Sequence, residues 1–112
     1  MNSIKNKVTL IGNLGKAPEI KLLTTNKKVA RISVASNEFY KNSKGEKAVH
    51  TTWHNIIMWG KLAEVAEKFL NKGTEIAIDG KLINRSYTDK QGIIRYTTEI
   101  QANGLVILGK AA

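Results

Sequence analysis

The sequence contains no cysteine and a single proline, Pro18. The first absence removes disulfide frameworks, thiolate zinc sites and thiol nucleophiles together, so the fold has to rest on a packed core. Acid is scarce as well: nine Asp and Glu stand against eighteen Lys and Arg, a formal charge of +9. Such an excess creates a field that favours polyanionic partners. The bases are scattered with no polybasic block, so charge alone weighs a nucleic-acid binder and a generic basic protein about equally. Long apolar runs are missing too. Hydrophobic residues make up 42% of the chain, but no run approaches the ~20 residues needed to span a bilayer, and no membrane role is expected. Residues 1–5 lead straight into strand-like sequence with neither an apolar signal region nor an arginine-rich transit segment, which points to the cytoplasm.

The usual catalytic signatures are absent. There is no G-x-S-x-G elbow, phosphate-binding G-x-x-x-x-G-K-[ST] loop or G-x-G-x-x-G turn; Gly15-Lys16 and Gly60-Lys61 are followed by Ala17 and Leu62 where Ser or Thr would be required. The acids are dispersed and form no evident metal-nuclease cluster. His50 and His54 have the spacing of a helical metal pair, but the intervening Thr-Thr-Trp favours a strand, which would hold them ~13 Å apart. No enzyme activity, metal or cofactor is expected.

What is present is the two-residue alternation of strands. Val8, Leu10, Gly12 and Leu14 share one face, with Gly12 and Gly15 suggesting a bulge or tight bend. Residues 20–23 resume a strand, and Ala30, Ile32 and Val34 then alternate with Val29, Arg31 and Ser33. Residues 40–47 (YKNSKGEK) read as a mobile basic loop centred on Gly45. The segment 50–59 is apolar on both faces: Trp53, Ile57 and Trp59 project one way, His54, Ile56 and Met58 the other. One face of it therefore needs a ligand or another subunit to cover it. Residues 62–72 predict the only helix, with Leu62, Val65, Ala66 and Phe69 toward a core, a Glu64–Lys68 pair, and Gly73 at its end. Ile76, Ile78, Gly80 and Leu82 alternate through a further strand, residues 88–92 turn, and Tyr96, Thr98, Ile100 and Ala102 return. Residues 105–108 close the domain.

The length fits one domain, 1–112. Its element order predicts an all-β protein: a five-stranded OB-fold Greek-key barrel, with one helix between the third and fourth strands and a long hairpin joining the fourth and fifth. Fold alone does not give function. The informative residues are aromatic and basic together: Tyr40 beside Lys41, Trp53 and Trp59 on one strand face, and Tyr87 near Arg85, with Lys44, Lys47 and Lys61 close in sequence. Every base has a flat π-face, so exposed rings bind single strands without reading sequence. For Trp53 and Trp59, burial in a core competes with stacking, because alternation does not say which face is inside. Tyr40 and Tyr87 sit amid polar residues, where exposure is expected.

Five segments, 6–15 (NKVTLIGNLG), 52–54 (TWH), 59–66 (WGKLAEVA), 78–82 (IDGKL) and 95–99 (RYTTE), closely resemble the bacterial single-stranded DNA-binding protein family in order and spacing. The likeness covers nearly the whole chain. It implies a nucleoid-associated OB-fold homotetramer that binds single-stranded DNA in replication, recombination and repair. Base stacking is then assigned to Tyr40, Trp53, Trp59 and Tyr87. Phosphate contacts fall to Lys7, Lys61, Lys72, Arg85 and Arg95, beside the Lys41 and Lys44 already noted, and a subunit interface to His54. Asn55 and Ser86 stand where the family often carries bases. The family's flexible linker and acidic tip do not follow Ala112, so recruitment of repair and replication proteins is not expected. The residues alone leave open an RNA-binding or primosome-type OB protein, and an adaptor whose doubly apolar strand serves only assembly.

Overall fold

In the computed structural model, residues 5–23 and 26–109 are described. Residues 1–4 and 110–112, on which the expectations about a targeting segment and a tail rest, lie outside them. The elements run β1 (Val8–Leu14), β2 (Glu19–Leu22), β3 (Lys28–Lys41), β4 (Lys47–Trp59), α1 (Lys61–Phe69), β5 (Glu75–Thr88) and β6 (Ile94–Gly109). The sheet order is β1-β5-β6-β4-β3-β2, and it closes because β1 also pairs with β3 at Asn13–Ala35 and Leu14–Val34. Five strands thus form a barrel, and the short β2 lies along β3 alone. All pairings are antiparallel except β4 with β6. This is the expected OB-fold barrel, with its helix between the third and fourth barrel strands.

Alternation sets the interior. Leu14, Ala30, Ile32, Val34, Ile56, Met58, Ile76 and Ile78 converge in one buried cluster, where each large side chain is stabilised by roughly 1.5–3 kcal/mol relative to exposure. Closure needs a glycine. A Cβ on Gly12 would stand 2.3 Å from the Ala35 carbonyl oxygen, so only a bare backbone lets β1 approach β3. No register shift falls in β1; the irregularities lie in the β5–β6 ladder, at Glu75/Ile76 and Asp79/Gly80.

The helix differs from the sequence expectation at its end. It stops at Phe69, and Leu70 turns extended (φ −96°, ψ 136°) and drops into the core, so Phe69 is left exposed. Ala63 and Ala66 supply the rest of the buried face. Glu64 and Lys68 form no ion pair; instead Lys28 of β3 reaches Glu67 at 2.6 Å and ties the helix to the barrel. That bond raises the Lys28 pKa above its ordinary value, against the opposing effect of burial.

The loop expected over residues 40–47 is shorter, confined to residues 42–46. β3 and β4 stay paired out to Lys41–Lys47, because a five-residue turn suffices to join them. Asn42 Oδ1 accepts the backbone N–H of Lys44 and of Glu46, and Gly45 takes φ 78°. The β5–β6 hairpin ends in the same way: Asp89 Oδ1 accepts from Gln91 and Ile93, and Gly92 takes φ 79°. A side-chain acceptor followed three residues later by glycine therefore closes both ribbons. Residues 105–108, expected to close the domain, are the last part of β6, which runs on to Gly109.

Candidate nucleic-acid interface

On β4, alternation places Trp53, Asn55, Ile57 and Trp59 outside the barrel, and the β3 register sets Ala35, Ser33, Arg31 and Val29 opposite them. The core alternative for the two tryptophans is therefore removed: Trp53 is 60% exposed, and Trp59 is exposed as well. Ile57 on the same face is buried, so the chain covers part of its second apolar face by itself. On β5, Ile83, Arg85 and Tyr87 pair with Glu99, Thr97 and Arg95 of β6. The two ribbons meet in an open cleft of about 480 Å³ lined by Arg31, Arg85, Ser86, Tyr87, Thr97 and Glu99. Arg31, opposite Ile57 on the face that carries the tryptophans, is thus brought to Tyr87, while neither tryptophan lines the cleft itself.

At the cleft floor Arg31 Nη1 donates to Glu99 Oε2 at 2.5 Å, and Arg85 Nε stands 3.6 Å from Oε1. Glu99 is buried, while both arginine side chains are more than 40% exposed. Burying a carboxylate is costly unless it is paired, and the two guanidinium groups supply that pairing.

The other predicted cations divide by availability. Lys41, Lys44, Lys61 and Lys72 are exposed and make no ion pair among the described residues. Lys7 lies 3.9 Å from Asp79. Arg95 Nε donates to Asp89 Oδ2 at 3.0 Å. The Ile93 amide, foremost, and the Arg95 guanidinium hold the Asp89 carboxyl below its ordinary pKa, with burial opposing and the Gln91 amide adding. Tyr40 is exposed near the turn, in a cleft with Phe39, Lys41 and Lys47. His54 Nε2 is hydrogen-bonded to Ser36 Oγ at 2.9 Å.

The Single-strand binding protein family model matches residues 5–108. The chain belongs to this family. A single-stranded DNA-binding protein 1 from Xylella fastidiosa (strain 9a5c) is 42% identical over 106 residues, covering 94% of this chain and 78% of that protein. The Plasmodium falciparum SSB complex with ssDNA superposes with a TM-score of 0.82 at 34% identity, covering 96% of this chain and 99% of that one.

For this family member, sequence reasoning missed three residues on the candidate surface. Phe39 is 81% exposed, and alternation puts it, not Tyr40, on the Trp53 side of the β3–β4 ribbon, opposite Val49. Counting back from Trp53 through the five-residue turn would have found it. Arg31 and Glu99, 68 residues apart, meet only across β4, which pairs with both their strands, and no local pattern joins them.

Proposed function

We propose that this chain binds single-stranded DNA without catalysis and with little regard to sequence, in DNA replication, recombination and repair. The observation that carries the reading is the cleft where Arg31, Arg85 and Tyr87 converge, with Arg31 opposite the β4 face that also exposes Trp53. Rings of Trp53, Trp59 and Tyr87, with Phe39 and Tyr40 on the β3–β4 arm, offer stacking surfaces worth roughly 1–3 kcal/mol per base. Lys41, Lys44, Lys61, Lys72, Arg85, Arg95 and Lys7 supply phosphate contacts around them. Titrating oligo-dT while following tryptophan emission tests this. Quenching that weakens steeply with salt is the expected result, and equal affinity for duplex DNA would overturn the reading.

The same reading has the protein working in the cytoplasm with the nucleoid, as a homotetramer of single-domain subunits. Support for assembly comes from an apolar row outside β1, β5 and β6, where Ile11 opposes Ala77 and Ala77 opposes Val106. Ile11 and Val106 are each more than half exposed, and such a patch marks an interaction surface. On this reading His54, half-buried and hydrogen-bonded to Ser36, is placed at a subunit contact. Sedimentation of the wild type beside Ile11→Glu decides: a tetramer that the variant breaks is expected, and a monomer in both removes the assembly claim.

A further inference from the structure

A surface built to meet phosphates gains nothing from a carboxylate, yet Glu99 sits at its centre with only 8% of its side chain exposed. A single well-made arginine bond would neutralise it, and Arg31 provides one through Nη1. The cluster is nevertheless not closed on itself. Oε1 of Glu99 accepts no hydrogen bond among the described residues, and Arg85 Nε stands 3.6 Å from it, about 0.7 Å beyond an ordinary N–H···O bond. A guanidinium carries five donors in a rigid fork, so Arg31 keeps most of its own after serving Glu99. Both arginines stay over 40% exposed and line the cleft that Tyr87 walls. A second cleft of about 250 Å³ opens on the other side of Glu99, but there Lys16 is already engaged by Glu19 at 2.8 Å, whereas the Tyr87 side is lined by two arginines and by no acid other than Glu99. Two cations on one buried anion leave a net positive charge facing outward.

We propose that Arg31 is a phosphate-contacting residue and that Glu99 is the positioning residue that sets Arg31 and Arg85 side by side as a seat for one backbone phosphate next to the Tyr87 ring. The inference rests on the single-strand binding proposed above. Glu99 holds the forks before DNA arrives, so less side-chain freedom is lost on binding.

The test uses R31M/E99Q, which removes one charge of each sign and leaves the formal charge unchanged. Oligo-dT binding is measured across a salt series, with thermal unfolding as a control on the fold. A cluster that merely neutralises itself predicts wild-type affinity and salt slope, and that result would overturn the proposal. The seat predicts several-fold weaker binding and a slope of log K against log salt shallower by about 0.7, the loss of one phosphate. E99Q alone adds a test of sign: removing an acid from a DNA-binding face strengthens binding by simple electrostatics, whereas loss of positioning weakens it, and tighter binding refutes the role given to Glu99. Should the double variant not fold, R31K keeps a cation on Glu99. Weaker binding then supports the seat, and unchanged binding overturns it. A wild type that binds no oligo-dT would refute the function proposed above, and this inference with it.

Discussion

Gly15 lies directly against the indole of Trp53: a Cβ placed on Gly15 would fall 2.5 Å from Cζ3 of the ring. Its φ is not left-handed, so Gly15→Ala introduces no backbone strain and acts on the ring alone. The indole has to swing away from β1. We expect shifted tryptophan emission in the free protein and weaker oligonucleotide binding, by no more than the ~1–3 kcal/mol of one stacked base. Unchanged emission would show that the ring does not rest on Gly15.

Gly12→Ala meets backbone instead of a movable ring, since the Ala35 carbonyl oxygen stands 2.3 Å from the new Cβ. Overpacking of this kind costs about 1–3 kcal/mol or more. Urea unfolding is expected to show a lowered midpoint, with β1–β3 closure weakened.

Truncating the surface rings separates binding from stability. Trp53→Ala, Tyr87→Ala and Phe39→Ala each remove an exposed side chain, so the unfolding midpoint should scarcely move while each costs up to roughly 1–3 kcal/mol of affinity. Ile56→Ala, at the barrel centre, reverses the pattern with a stability loss of about 2–5 kcal/mol. Equal binding by wild type and F39A would assign the β3–β4 arm to Tyr40 alone.

Acid acts on the β5–β6 arm through Asp89. Asp89 is held below its ordinary pKa of 3.8, so the folded state binds its proton less readily than the unfolded state. Its stabilising contribution is therefore complete above about pH 4 and is lost as pH falls through the lower folded value. Glu19, lowered by its hydrogen bond to Lys16, changes in the same direction, so the readout is a difference. The stability gap between wild type and Asp89→Asn should narrow on acidification, and a gap independent of pH would refute the assignment.

The barrel was legible because its interior positions repeat every second residue: the runs through Leu10, Ile32 and Ile78 needed no structure to be paired. The helix end was not, because Phe69 continues the helical spacing and only the geometry shows Leu70 leaving the helix to fill that space. Alternation also cannot tell inside from outside on a strand apolar on both faces. Trp53 and Ile57 share a face, yet one is exposed and the other buried. The Arg31–Glu99 bond was beyond reach for another reason, since it spans β3 and β6 across β4 and exists only once β4 has paired with both.

The matching turns at residues 42–46 and 89–93 make the two hairpin tips interchangeable cassettes. Exchanging NSKGE for DKQGI keeps acceptor and glycine in their places and costs the β5–β6 ribbon one contact, the bond from Arg95 to Asp89. What such an exchange does move is the acid-sensitive acceptor, from the arm that carries Tyr87 to the arm that carries Phe39.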